Sequence, residues 1–190
     1  MSEDKFYILA ADYNNETMML GGLPELPNDD DDDWMFGQPF TKEPDQPIEV
    51  EIREGEEDCN LLPYFQVPPI ATDEFVKALE EAGVDNIMTY EVVLKSRATG
   101  EILVRGYKAI NVIGMVKAAG SGTVYLGDSR LLDASIEKLD IEPRSIKGLY
   151  MFRLAESMRT IVIHEKVKRH LEAKGFKGLR FTETSDAFIL

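Results

Sequence analysis

The stretch HEKVKRH, residues 164–170, holds both histidines of the chain and invites a metal reading. A zinc-binding helix needs two histidines four residues apart, so that both imidazoles leave one face. Here Lys168 stands in the fourth place and His170 comes two residues later, on a different face. His164 is better read as a helix start and His170 as a residue at the edge of a core. The run NDDDDDWMFG, residues 28–37, offers Asp29, Asp31 and Asp33 at the first three ligand spacings of a calcium loop. The turn glycine such a loop requires is replaced by Trp34, and its closing glutamate by Phe40, which excludes an EF-hand. AAGSGTVYLGDS, residues 118–129, is glycine-rich but has no lysine in the phosphate-binding position. Neither Ser121 nor Ser129 sits in the frame of a nucleophile elbow. Cys59 follows Glu56, Glu57 and Asp58, a setting that opposes the thiolate a nucleophilic cysteine needs. The expectation is no catalytic residue, no metal and no cofactor, hence not an enzyme.

The elements that would position these residues point to an α+β fold. We expect a mixed, mostly antiparallel sheet with few short helices, in a single domain spanning residues 1–190. KFYILAA reads as a buried strand, and PIEVEIRE alternates like a strand with one wet face. Between them, residues 21–47 carry three glycines and five prolines around the aspartate run, which predicts a long irregular excursion. LLPYFQVPPI then crosses back over apolar surface. NIMTYEVVLK, RATG and EILVRGYKAINVIG predict a hairpin. SRLLDASIEKLDIEPRS reads as a weaker helical or mixed stretch, and GLYMFRLAE as a strand.

Residues 70–91 predict a helix followed by a strand. Thr72 is placed to cap the helix, Asp73 and Glu74 suit its positive end, and Gly83 stands where a left-handed ending is wanted. At a constant offset of 92 residues the same grammar recurs over 162–183. Leu79 meets Leu171, Glu80 meets Glu172, Gly83 meets Gly175 and Glu91 meets Glu183, so the chain divides into an acidic, loop-rich part (1–69) and a core (70–190) built on two related helix-strand units.

Charge is just as unevenly placed. The chain has 35 acidic and 21 basic side chains, a formal net charge of −14. Residues 1–69 hold 18 of the acids against three bases, so the imbalance lies in the first third. Such a field repels nucleic acid and anionic membrane and attracts cationic partners. One cysteine forms no intrachain disulfide, and no stretch approaches the roughly 20 apolar residues of a spanning helix. With acids where a secretion signal needs bases, a cytoplasmic location is expected.

LYMFRLAESMRTIVIHEKVKRHLEAKGFKGLRFTE, residues 149–183, resembles the C-terminal signature of an immunity-protein family of bacterial polymorphic toxin systems, the eleventh immunity class. VPPIATDEFVKALEEAGVDNIMTYEV and the hairpin through GYKAINVIG are similar to that family's middle section, and WMFGQPF to the glycine-containing stretch before it. The resemblance implies a small cytoplasmic inhibitor that binds a cognate toxin and blocks it, with no catalytic residues of its own. NDDDDD and REGEEDC depart from the family pattern, so those segments inherit no role. Toxins that cut nucleic acid have basic grooves, and clustered carboxylates that fill one gain both association rate and specificity. Asp29, Asp30, Asp31, Asp32 and Asp33, with Trp34 as an aromatic anchor and Glu54, Glu56, Glu57 and Asp58 as a second cluster, are therefore the expected partner-binding residues. Against this stands Trp34 as a core residue that pins the loop. The alternative is an acidic adaptor or nucleic-acid mimic without a dedicated toxin.

Overall fold

The structure is a computed structural model that describes residues 4–28, 32–67, 69–128 and 133–189. It is an α+β fold with two mixed, mostly antiparallel five-stranded sheets and two short helices. The strands of the first sheet are β2 (Ile48–Ile52), β3 (Tyr64–Phe65), β4 (Ile70–Thr72), β5 (Ile87–Ser96) and β6 (Ile102–Val112), in the order β2-β5-β6-β4-β3. The second sheet is built from β1 (Phe6–Ala11), β7 (Met115–Val116), β10 (Met151–Leu154), β11 (Ile161–His164) and β12 (Leu179–Glu183), in the order β12-β1-β11-β10-β7. A separate ribbon pairs β8 (Val124–Leu126) with β9 (Ser135–Lys138).

Helices α1 (Asp73–Glu81) and α2 (Glu165–Lys174) occupy equivalent places. Thr72 Oγ1 accepts from the N–H of Phe75, and His164 Nδ1 from that of Lys166, so residues 92 apart cap the two helices. Gly83 (φ 95°) and Gly175 (φ 76°) end them in the left-handed region, where a side chain would be strained. After Gly83 the N–H of Val84 returns to the carbonyl of Leu79 and that of Gly83 to Glu80, a Schellman ending. In each unit the helix joins two parallel strands that flank one antiparallel strand. That middle strand is β6 between β4 and β5, and β1 between β11 and β12. The first unit takes its middle strand from the next segment of chain; the second takes it from the N-terminus.

Pleat alternation sorts the core. Ala71, Ile110 and Val112 share the face of the first sheet on which α1 lies, and Leu9, Ile161, Ile163 and Met151 supply the facing surface of the second sheet. Phe75 stacks on Tyr64 with ring centroids 5.4 Å apart and meets Phe176 at 5.3 Å, so the two units interlock through aromatic rings. The outer faces are covered by the connecting segments. Met18, Leu26, Trp34 and Phe40 of the N-terminal excursion lie over Tyr90, Val92 and Leu94 of the first sheet. Ala118, Ile136, Leu139 and Ile146 lie over Phe6, Phe152, Leu154 and Val162 of the second.

One open reading is settled. Of the two readings of the stretch 129–145, helical or mixed, the described residues take the mixed one, with β9 and a 3-10 turn at Pro143–Ser145. Ile136 exchanges both backbone bonds with Ile189, and Pro143 has no N–H to continue a helix, so tertiary pairing overrides the helical pattern. No helix among the described residues is long and apolar enough to cross a membrane.

Candidate partner-binding face

The acidic excursion is not a free-floating loop where it is described. Trp34 is buried to 9% exposure, its ring 4.8 Å from Phe40 and 5.6 Å from Tyr90, both edge to face. Phe40 stacks on Tyr90 at 5.5 Å. Gln38 accepts from the Asn111 side chain at 2.8 Å, and Gly37 from the N–H of Gly114 at 2.8 Å. Aromatic pairs of this geometry contribute about 0.5–1.5 kcal/mol beyond their burial, so the trio is a fastening point. Trp34 is accordingly part of the core and presents no anchor to a partner.

The five aspartates divide by environment. Asp29, Asp30 and Asp31 lie outside the described residues. Asp32 is only 3% exposed and faces inward. Its carboxylate accepts from Thr41 N at 2.9 and 3.0 Å, from Thr41 Oγ1 at 2.8 Å and from Lys42 N at 3.4 Å. Burial pushes its carboxyl up, but the bonds from Thr41 and Lys42 together outweigh that and hold it below the usual aspartate value. Asp32 is a clasp that ties the two ends of residues 32–41 together, not a surface charge. Asp33 is half-buried and accepts from Met35 N at 2.7 Å.

The second cluster divides in the same way. Glu56 accepts from Met19 N at 2.7 Å, and Glu57 from Gly55 N at 2.9 Å and Ser96 Oγ at 3.1 Å. Bonds from its own N–H, Ser96 and Gly55 hold the Glu57 carboxyl below the usual range against the effect of burial. Glu54 and Asp58 remain at the surface. Since Trp34 meets β5 at Tyr90 and Glu57 meets it at Ser96, the two clusters stand about 20 Å apart along the strand.

Between them runs a feature that sequence reading missed. An open groove of about 540 Å³ follows the edge strand β2. Glu25, Asp45, Glu49 and Glu51 line it, with Lys95 the single cation among the described residues, and Pro24, Pro27, Pro44 and Pro47 shape its walls. Glu49 pairs with Lys95 at 2.7 Å and Glu51 reaches Arg97 at 3.7 Å, while Glu25 and Asp45 form no ion pair among the described residues. The signal available in sequence was the repeated Pro-x-x-Pro spacing, at 24 and 27 and at 44 and 47, on either side of the aspartates. Prolines fix the backbone without offering an N–H, which leaves carboxylates as the groove's main bonding groups.

Among the described residues no group of three or more His, Cys, Asp or Glu side chains could hold a metal ion. His164 caps α2, and His170 lies 3.3 Å from Glu81, which also meets Lys174 at 2.6 Å, so both histidines serve the helices. Compared with known proteins, the chain matches no family model and no curated protein.

Proposed function

We propose that this protein is an immunity protein that binds a cationic antibacterial toxin and blocks it stoichiometrically, in the cytoplasm, without catalysis. The observation that carries the reading is a clamped acidic cover. Residues 12–47 hold ten acids against one lysine. Trp34 and Phe40 fasten this segment to the first sheet at Tyr90, Asp32 closes its own loop on Thr41, and Glu25, Asp45, Glu49 and Glu51 line the open groove beside it. A pre-fixed acidic surface loses little ordering entropy on binding and speeds the encounter with a basic partner. The resemblance of residues 149–183 to the immunity family points the same way.

In this reading Asp29, Asp30, Asp31, Glu54 and Asp58 join the groove carboxylates as contacts, and Asp32, Trp34, Glu56 and Glu57 support them from beneath. A nuclease is the toxin chemistry such a surface fits best, because nucleases present phosphate-binding cations. The test is co-expression with the toxin candidate encoded beside it. Growth rescue and a one-to-one complex on gel filtration are expected. Rescue failure with no complex overturns the reading, and capture of unrelated nucleic-acid-binding proteins with equal strength would replace it with a general nucleic-acid mimic.

A further inference from the structure

Arg153 is the buried cation that the acidic surface does not explain. It lies on β10 at 3% exposure and points between the two sheets, on the side of Met151 and Ile161. Nη2 donates to the carbonyl of Trp34 at 3.1 Å and Nη1 to the carbonyl of Met158, while Nε–H has no acceptor among the described residues. The chain carries 35 acidic side chains, yet the acceptors of this guanidinium among the described residues are two neutral carbonyls. Asp33 acts on it only through space. By contrast Arg159 pairs with Asp133 at 3.3 Å and Arg169 with Glu165 at 2.8 Å, both on the surface. A buried charge without a counter-charge is costly, so an occupant that supplies one is strongly favoured.

The space for it exists. A cavity of about 40 Å³ lies beside Arg153, lined also by Tyr64, Gln66 and Arg159, with Ile110, Val112 and Met151 on its apolar side. Burial holds the Tyr64 phenol well above its ordinary value, so it stays a neutral O–H donor. The cavity has room for at least one water, and one guanidinium balances one negative charge, so it suits a small monovalent anion. Gln66, Val67 and Arg159 also line a wider groove of about 520 Å³ over Ile8 and Ala10, which gives a route in from solvent.

We propose that this cavity binds one small monovalent anion, a carboxylate or chloride, held by Arg153 and Tyr64. The site is independent of the toxin reading. The ligand chemistry could come from a free ion or from a chain-terminal carboxylate.

The test uses the intact protein and the fluorescence of Trp34, the chain's single tryptophan, whose carbonyl accepts from Arg153. Formate, chloride, N-acetylglycine and sulfate are titrated at constant ionic strength. Formate and chloride are expected to give saturable, mutually competitive changes, and sulfate none. Competition by N-acetylglycine assigns the site to a chain end; its failure assigns the site to a free ion. Arg153→Gln, checked for folding by circular dichroism, is expected to weaken formate binding about tenfold or more. A linear response without saturation, an equal response to sulfate, or unchanged binding in folded Arg153→Gln would overturn the proposal. If Arg153→Gln does not fold, the anion series on the unaltered protein decides alone.

Discussion

Two connecting segments do the same structural work and carry opposite electrostatic content. The described residues of 12–47 cover the outer face of the first sheet and those of 117–149 that of the second. Each fills its face with apolar side chains, Trp34 and Phe40 in one and Ile136, Leu139 and Ile146 in the other. The first holds ten acids and one base, the second five of each. Covering a sheet therefore does not require the charge, since the second cover manages without it. The excess on the first cover needs another explanation, and an encounter with a cationic partner supplies one.

The strongest way to break the comparison is to remove the anchors. Trp34→Ala is expected to cost about 3–5 kcal/mol and Ile136→Ala about 2–5 kcal/mol, each measured by urea unfolding. Partner capture by the protein that remains folded should fall for Trp34→Ala and hold for Ile136→Ala. A neutral Trp34→Ala would mean the indole is not seated in the core.

Two glycines sharpen it next. Gly37 and Gly148 both have positive φ, 67° and 82°. A Cβ on Gly37 would meet the backbone N of Met115 at 2.9 Å, whereas one on Gly148 meets open space. Gly148→Ala should cost about 1–2 kcal/mol from left-handed strain alone. Gly37→Ala should lower the melting temperature further, because the first cover must move off the seam between the sheets.

Acid separates the covers more gently. The folded-state carboxyl of Asp32 lies below its ordinary value of 3.8, so its contribution to stability is complete above that value. The contribution is lost as pH falls from there through the folded value. Trp34 emission should report loosening of the first cover below about pH 4. Asp32→Asn should remove that transition, and a transition of the same size in the variant would show that another carboxyl is responsible.

How much of this could be read in the sequence depends on range. Both helices, their starts at Thr72 and His164, their glycine endings, and the hairpin of β5 and β6 depend on neighbours a few residues apart, and these signals survive without knowledge of the fold. The insertion of β1 between β11 and β12 joins the first residues of the chain to the last, and no local pattern encodes it. The aspartate run shows the same limit at the site. Five identical residues cannot be told apart by sequence, yet only the placement of Thr41 makes Asp32 a buried clasp. Arg153 was visible as one charge inside the apolar strand MFRL, but its lack of a carboxylate partner among the described residues is a fact of packing.

The smallest effect on stability is expected from the surface charges, and the largest consequence for function. Glu25→Gln, Asp45→Asn, Glu54→Gln and Asp58→Asn should each change stability by less than about 0.5 kcal/mol. The most direct measurement is the association rate between the toxin and this fourfold variant across a range of ionic strength, beside a control with Glu137→Gln and Glu142→Gln on the second cover. The fourfold variant is expected to associate more slowly and to lose much of its salt dependence, while the control behaves as the unaltered protein does. Equal rates and equal salt slopes in all three would contradict it.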